Sequence, residues 1–540
     1  MNPPFRVLYY NDLVNLLSCE SPFHHQGEDF DVSMIDRSVD ETGGLGVDAY
    51  FLQAGSGHLP LYPSAIYGMA EHVAWWKEHF GTDPLEGEEG SFLRWILDGG
   101  DVIARFRERV RGWGQAFFIS QRLNDVHFAE CAGVPGNRKG AHWLSRFYAG
   151  HLGDQLGDRT QYWFDWAPRA LDWRNPEIPA YHLGLIKEQC ERYDIDGFDL
   201  DFMRFPAFFA EDVPRRERVE ILADFIAGVR SILDRTAKGT RRLLSARVPA
   251  LRNKDEGIGI DLELWTRLGV DFYTVSSFYY TCQEVDFEET RRQAASVPLF
   301  LELTHATRVG EFLENSWGKT VDAFTFRRTT PFQYYTTAAL GYAAGFDGAA
   351  VYNFQYYRPH GSGNRGPFNE PPFDILPRLG NPEMLGRFPQ HYFLSGSHYV
   401  QHSVPPGSPP EERGAQLPRD LLPGGEISLK FRVLSEAGGP GVFRVETELP
   451  SDIQDAVEVR FNGVETAGIA SLEEAFPFQM SPLTNISGRG AAWVVPGQSG
   501  SGTIEVFLAA KPCLGSGCRI VFADLSFRDA RTNRMEPRHA

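Results

Sequence analysis

Short apolar runs alternate with longer amphipathic segments from Arg6 to about Tyr357 of this 540-residue chain. The apolar runs have the length and β-rich composition of strands, and the segments between them carry apolar residues at helical spacing. This alternation is typical of a parallel sheet whose strands are connected by helices. The eight runs begin near Arg6, Val47, Gln115, Gly197, Leu243, Asp271, Leu299 and Gly348.

Eight consecutive strand and helix units predict an α/β fold of the (β/α)8 TIM-barrel type, because that number closes a parallel sheet on itself. The wide spacing of the first runs predicts long insertions in the first loops. The clearest predicted helices span Ile178–Tyr193, Arg216–Asp234, Asp261–Leu268, Phe287–Ala295 and Pro331–Ala344.

The pattern changes after the predicted barrel. Pro- and Gly-rich sequence is followed by short β-rich runs that turn residues separate, which is typical of an antiparallel β-sandwich. We therefore predict the barrel over 1–375, a connecting segment over 376–424 and a C-terminal β-sandwich accessory domain over 425–540. Its predicted strands are Glu426–Val433, Gly441–Leu449, Ala456–Phe461, Thr503–Leu508 and Arg519–Phe527.

Two carboxylates alternate with apolar side chains in the fourth predicted strand. The strand period of two turns the apolar residues toward the helices, and it turns Asp199 and Asp201 into the barrel near the C-terminal end of the strand. Barrel enzymes have their active sites at this end. Because buried carboxylates are costly unless paired, the alternative is a structural network with an arginine such as Arg204.

The seventh predicted strand repeats this arrangement with a single acid. Its leucines alternate toward the helices, which turns Glu302 inward, and His305 follows shortly after. The alternative role for Glu302 is pairing with an arginine that neutralises the barrel interior. Other polar and aromatic residues fall at or just beyond strand ends and together predict a polar ring. The substrate-binding candidates are Arg204, Asn11, Arg122, Arg247, His305, Tyr279, Asn353 and Gln355.

Composition narrows the expected partners. Asp and Glu outnumber Lys and Arg by 71 to 53, and a net charge of −18 repels phosphate backbones and anionic lipids. We therefore expect neither nucleic acid nor membrane as a partner. The absence of a Gly-rich phosphate loop and of a His/Cys cluster predicts no cofactor and no metal. The first residues lack a signal-peptide pattern, which predicts a cytoplasmic protein; a chain whose signal had been removed would be periplasmic or secreted.

The fourth-strand motif, the barrel pattern and the β-rich tail together resemble the bacterial barrel-type glycosyl hydrolases described as family-10-like. The fourth strand of that family ends in a comparable Asp-Gly-x-x-x-Asp-x-x-Arg-x-Pro string. The resemblance covers about two thirds of the chain. The motif also partly matches the chitinase signature Asp-Gly-x-Asp-x-Asp-x-Glu, but Met203 replaces its acidic Glu, so chitinase chemistry is not expected. The residues that match the family-10-like string are Asp196, Gly197, Asp201, Arg204 and Pro206.

The resemblance implies a glycoside hydrolase that acts on a poly- or oligosaccharide. We expect Asp201 to act as nucleophile or general base and Glu302 as general acid, with Arg204 keeping Asp201 ionised. Asp199 is expected to support them by orienting Asp201 or Arg204. The alternative is a non-catalytic carbohydrate-binding barrel. Convergence of Asp201 and Glu302 across a cleft would favour the enzyme, and separation with Asp201 locked to Arg204 would favour binding alone.

Arginines near the strand ends would favour an anionic sugar as the substrate. A guanidinium binds carboxylate or sulfate through two parallel hydrogen bonds, although neighbouring acids could neutralise every one of these arginines. The arginines concerned are Arg122, Arg204, Arg247, Arg308 and Arg358.

Overall fold

Eight parallel strands close into a barrel in the computed structural model of the chain, in which each strand pairs with its sequence neighbours and β8 pairs with β1. The prediction of a TIM barrel is confirmed, and every strand begins within two residues of its predicted start. The strands are β1 Val7–Asp12, β2 Ala49–Gln53, β3 Ala116–Arg122, β4 Gly197–Asp201, β5 Leu243–Pro249, β6 Phe272–Ser276, β7 Leu299–Thr304 and β8 Gly348–Tyr352. The structure describes residues 5–87, 89–129, 143–160, 166–312, 324–360, 366, 368–395, 415–434, 441–449, 453–466, 490–495 and 502–527.

Helices connect these strands and cover the outside of the barrel. The loop regions after β2 and β3 carry the long insertions that the early spacing predicts. Within the described ranges, no helix has the length and the apolar composition needed to cross a membrane. The helices are α1 Asn15–Ser18, α2 Ser33–Asp40, α3 Met69–Phe80, α4 Gly90–Leu97, α5 Val102–Gly112, α6 Arg146–Gly150, α7 Glu177–Arg192, α8 Arg215–Thr236, α9 Asp255–Ile258, α10 Leu262–Arg267, α11 Phe287–Ala294, α12 Pro331–Ala343, α13 Leu376–Leu379 and α14 Pro382–Leu385.

The inside of the barrel is divided into an apolar floor and a polar upper part. At the floor, the ring of Phe51 stacks on Phe118 with a centroid distance of 4.5 Å, and Leu8, Phe272 and Phe300 complete the cluster. Toward the C-terminal strand ends the inward positions become Ser, Thr, Gln, Asp, Glu and Arg. Since the floor already fills the lower barrel with rings, the polar side chains are confined to the upper end.

A C-terminal β-sandwich follows the barrel, as the turn-rich pattern predicts. One sheet has the order β9–β17–β12–β15, with β10 paired to β17, and the other has the order β11–β16–β13–β14. Two of its strands, β9 and β10, lie inside the segment that we predicted as a connection. The strands are β9 Gln390–Leu394, β10 Arg419–Leu421, β11 Glu426–Val433, β12 Gly441–Thr447, β13 Val457–Phe461, β14 Val464–Thr466, β15 Gly490–Val495, β16 Gly502–Ala510 and β17 Cys518–Phe527.

The sandwich packs on the barrel beside the loop that follows β6. The side chain of Gln283 donates to the carbonyl of His391 at 3.1 Å and accepts from the backbone N–H of Phe393 at 3.0 Å. Nearby, Arg327 forms a buried ion pair with Glu446 of β12. These contacts tie two strands of one sandwich sheet to the barrel.

Candidate active site

The carboxylate of Asp201, at the end of β4, accepts hydrogen bonds from two side chains and two backbone groups. Arg247 lies directly opposite in register on β5, and its Nη1 is 3.0 and 3.1 Å from the two oxygens. Gln53, at the end of β2, donates from Nε2 at 2.9 Å. The backbone N–H groups of Met203 and Arg204 donate at 2.9 Å each. This set of donors suits a carboxylate that carries a negative charge.

Glu302, on β7, binds the same guanidinium. Arg247 donates from Nη2 to Oε1 at 2.8 Å and from Nε to Oε2, and the hydroxyl of Ser276 donates to Oε1 at 2.7 Å. The side chains of Asp201, Glu302 and Arg247 are 0% exposed. Two buried carboxylates therefore share one cation. Burial, supported by the charge of Asp201, raises the pKa of Glu302, although Arg247 opposes this.

The predicted ion pair between Arg204 and Asp201 is wrong. Only the backbone N–H of Arg204 reaches Asp201, whereas its guanidinium donates to Nε2 of His127 at 2.7 Å. Arg247 takes the predicted role, because the register of β4 and β5 places it opposite Asp201.

Asp199 lies one inward position deeper along β4. It accepts hydrogen bonds from the hydroxyls of Ser120 at 2.7 Å, Ser245 at 2.6 Å and Tyr10 at 3.4 Å. Burial, together with the nearby charge of Asp201, raises its pKa from 3.8 to about 7, against the effect of the serine hydroxyls. The predicted orienting role toward Asp201 or Arg204 is not what these contacts support; Asp199 joins strands β1, β3 and β5 through their hydroxyl groups.

A second buried ion cluster surrounds Arg122, at the end of β3. Its guanidinium pairs with Asp12 of β1 and lies 3.7 Å from Asp125 on the loop that follows β3. Nη2 is also 3.5 Å from the hydroxyl of Tyr352. The ring of Tyr352 in turn lies 4.1 Å from Cζ of Arg247, so one aromatic side chain contacts both buried guanidinium groups.

Two predicted site residues point away from the barrel interior. Asn11 donates to the hydroxyls of Ser38 on α2 and of Tyr50, an outward residue of β2, because the inward parity of β1 belongs to its neighbour Asp12. Gln355 donates at 2.7 Å to the hydroxyl of Tyr9, an outward residue of β1. Both assignments to the polar ring are therefore wrong.

The rim above the buried layer is aromatic. The Cζ of Arg204 lies 4.7 Å from the ring centre of Phe205, 5.3 Å from that of Phe278 and 5.5 Å from that of Tyr279. The ring of Tyr279 also contacts His305, at a centroid distance of 5.0 Å. Two of the predicted substrate-binding residues, Arg204 and Tyr279, therefore lie together at this rim, and His305 is buried directly beside them.

Several rim residues have a backbone conformation that L-amino acids rarely adopt. Phe128, Phe205, Phe278 and Asn353 have φ angles of 62°, 61°, 64° and 54°, and each follows the C-terminal end of a different barrel strand. A bulky residue at positive φ is strained, and such strain gathers at sites where surrounding structure fixes the geometry for a function. The observation favours the C-terminal end of the barrel as the functional site. The predicted site residue Asn353 is one of the four.

Sequence reasoning missed four polar residues of the site: Gln53, Asp12, Asp125 and His127. Gln53 and Asp12 each end a barrel strand and were identifiable by the same rule that identified Asp201. Asp125 and His127 come from the insertion after β3, where the imidazole Nδ1 lies 2.6 Å from Oδ1 of Asp125. Nothing in the local pattern of that loop marks them. In the part of the chain that is described, no three His, Cys, Asp or Glu side chains are arranged to hold a metal ion.

No protein-family model and no curated protein matches this chain. Among solved structures it is similar to a GH138 enzyme targeting pectin rhamnogalacturonan II, with 11% identity and a TM-score of 0.39 over 70% of this chain and 39% of that one. It is similar to alpha-L-fucosidase isoenzyme 2 from Paenibacillus thiaminolyticus, with 12% identity and a TM-score of 0.39 over 70% and 49%. It is also similar to the PgaB (BpsB) glycoside hydrolase domain from Bordetella bronchiseptica, with 12% identity and a TM-score of 0.37 over 66% and 95%.

The chain thus spans about two fifths of the first of these proteins and about half of the second. At these TM-scores and identities the likenesses carry no argument about function. The resemblance to the family-10-like hydrolases stays a prediction, and the chemistry has to be argued from the site itself.

Proposed function

We propose that the barrel is a glycoside hydrolase that cleaves the O-glycosyl bonds of a poly- or oligosaccharide. The observation that supports it is the sharing of Arg247 by Asp201 and Glu302. Glycosidic cleavage needs one carboxyl group that keeps its proton and one that stays charged. One buried cation that faces two carboxylates favours this division, because a second negative charge in the interior would be unbalanced.

The surroundings of the two acids indicate which one holds the proton. Asp201 accepts from the backbone N–H groups of Met203 and Arg204 and from Gln53 in addition to Arg247. Glu302 has a raised pKa, and its one hydrogen bond from a donor other than Arg247 comes, among the described residues, from Ser276. These contacts support Glu302 as the acid that carries the proton in the proposed reaction.

In the proposed reaction Glu302 donates its proton to the oxygen of the leaving sugar. Asp201 either removes a proton from a water that attacks the anomeric carbon, or attacks that carbon itself. In the second case a water molecule, deprotonated by Glu302, then breaks the bond between the sugar and Asp201 and releases the product. Arg247 then stabilises the carboxylate that forms on Glu302, since it already donates to both of its oxygens. The aromatic rim of Phe278 and Tyr279 offers faces on which sugar rings can stack.

A carbohydrate-binding barrel without turnover is the second candidate. The complete burial of Asp201 and Glu302 favours it, because a substrate must reach past Tyr352 and Arg247 to touch either acid. A glycan bound only at the rim would need neither carboxylate.

A hydrolysis screen separates the two candidates. The full chain and its Glu302→Gln variant are incubated with a panel of polysaccharides and aryl glycosides, and released reducing ends or aglycone are measured. The hydrolase proposal expects product with the wild-type chain and a loss of about 100-fold or more with the variant. Binding of a glycan without product, with equal affinity in both proteins, would contradict hydrolysis and support the binding barrel.

A further inference from the structure

Arg204 differs from the other arginines that the sequence places near the strand ends. Arg122 pairs with Asp12, Arg247 with Asp201 and Glu302, and Arg358 with Glu41 and Glu370. The side chain of Arg308 lies outside the described residues. Among the carboxylates that are described, none lies within ion-pair distance of the Arg204 guanidinium.

The contacts of Arg204 hold the guanidinium without neutralising it. Rings of Phe205, Phe278 and Tyr279 surround its Cζ at 4.7 to 5.5 Å. Rings hold a guanidinium by its charge and leave the edge N–H groups available for hydrogen bonds. The Nε of Arg204 is buried and has no hydrogen-bond acceptor in the described part of the chain.

His127 fixes the orientation of Arg204. Since a guanidinium can only donate, Nε2 of His127 must accept from Nη2 at 2.7 Å, which places the imidazole proton on Nδ1, toward Asp125 at 2.6 Å. Burial, with Arg204 contributing, lowers the pKa of His127 against the opposing effect of Asp125. The hydrogen bond from Arg204 itself requires that Nε2 carries no proton. The imidazole of His127 therefore lies between Asp125 and Arg204, which form no direct ion pair with each other.

A half-buried cation that no carboxylate pairs is costly unless an anion completes it. Arg204 lies at the rim of the barrel, directly after the strand that carries Asp201, and its neighbour Phe205 is held at a φ of 61°. We propose that Arg204 binds an anionic group of the glycan, so that the preferred substrate carries a carboxylate or a sulfate close to the bond that is cut. This inference rests on the proposed glycosidase function.

The test compares sugars that differ only in charge. Oligogalacturonate and oligoglucuronate are each offered to the full chain beside their methyl esters, which remove the charge and keep the ring, and sulfated galactan oligosaccharides form a second anionic arm. Binding by calorimetry and product release are measured at several salt concentrations. We expect an anionic arm to be bound or cleaved about 10-fold or more better than its neutral counterpart, with an affinity that falls as salt increases.

Two substitutions test whether Arg204 is responsible. Arg204→Gln should remove the preference for the charged glycan, measured within each protein as the ratio of charged to neutral affinity and turnover. Arg204→Lys should recover only part of that ratio, because an ammonium lacks the two-pronged geometry. Arg216→Gln, at a site whose side chain is 88% exposed on α8, is the matched control and should leave the ratio at its wild-type value.

The outcomes distinguish this inference from the function on which it rests. Cleavage of neutral glycans at rates equal to those of charged ones, or a charge preference that survives Arg204→Gln, would overturn the inference and leave the hydrolase proposal standing. Binding of a charged glycan through Arg204 with no product would overturn the hydrolase proposal and support the anion site. Neither binding nor cleavage with any arm would contradict both. The arm that responds identifies carboxylate or sulfate as the group bound.

Discussion

Arg247 holds Glu302 through two parallel hydrogen bonds, from Nη2 to Oε1 at 2.8 Å and from Nε to Oε2. The guanidinium comes from β5 and the carboxylate from β7, so the pair spans β6 and fixes the upper barrel across three strands. The third nitrogen, Nη1, donates to Asp201, so Arg247 binds both buried carboxylates at once.

Replacing Arg247 is therefore expected to destabilise the fold strongly. Arg247→Met keeps an unbranched side chain but leaves Asp201 and Glu302 buried without their cation. We expect the free energy of unfolding to fall by roughly 3–5 kcal/mol, the cost of breaking a buried pair from one side. Urea denaturation measures this free energy of unfolding. The control is Arg216→Met at an exposed position, whose free energy of unfolding should stay within about 0.5 kcal/mol of wild type. A change below about 1 kcal/mol for Arg247→Met would contradict the shared-cation interpretation.

Replacing either proposed catalytic acid by its amide keeps the shape of the side chain and removes its ability to ionise. We expect such variants to lose enzyme activity. Asp201→Asn and Glu302→Gln are each expected to lower turnover of a cleaved glycan by about 100-fold or more, the scale of losing a positioned acid or base. Glu220→Gln, on the exposed face of α8, serves as control. Circular dichroism confirms that each variant is folded. Wild-type rates in both variants would show that the assignment of these acids is wrong.

Asp199 should make stability depend on pH. The folded protein holds its proton up to about pH 7, whereas an unfolded chain releases it near 3.8. Between these values the folded state binds more protons, so this group makes the free energy of unfolding fall as pH rises. Relative to wild type, Asp199→Asn should thus gain stability from pH 4 to pH 8, by on the order of 2–4 kcal/mol.

The measurement compares denaturation of the two proteins at each pH, which cancels groups that titrate in both, such as Glu302. Asp98→Asn at an exposed position is the control and should give a flat difference. A flat difference for Asp199→Asn as well would show that Asp199 is charged in the folded protein.

The sequence allowed the barrel to be predicted because its strands are short apolar runs buried on both faces and alternate with longer helical segments. It predicted the inward direction of Asp201 and Glu302 for the same reason: polar residues interrupt an apolar run only where the environment changes. Register could not be derived in this way. Asp201 faces Arg247, 46 residues away, through pairing of β4 and β5, and the local pattern suggested the nearer Arg204 instead.

In β1 the continuous apolar sequence led to a wrong prediction of which residue faces inward. Its buried run carries no alternation, so inward parity was assigned to Asn11 although it belongs to Asp12. Strands β9 and β10 escaped prediction because they are short and lie in turn-rich sequence, where only pairing with β17 makes them strands.

The C-terminal sandwich is expected to be needed for a stable barrel. Truncation after Pro410 would remove Glu446, the ion-pair partner of Arg327. It would also remove β17, the partner of β9, so that the edge of β9 and the buried ring of Phe393 become exposed. An unpaired apolar edge promotes aggregation. We therefore expect little soluble protein from residues 1–410, measured as soluble yield and by thermal unfolding. Lys430→Ala, which removes an exposed ion pair with Glu505 inside the sandwich, should match wild type, because such pairs contribute about 0–1 kcal/mol. A soluble truncated barrel with full thermal stability would show that the sandwich is dispensable for folding.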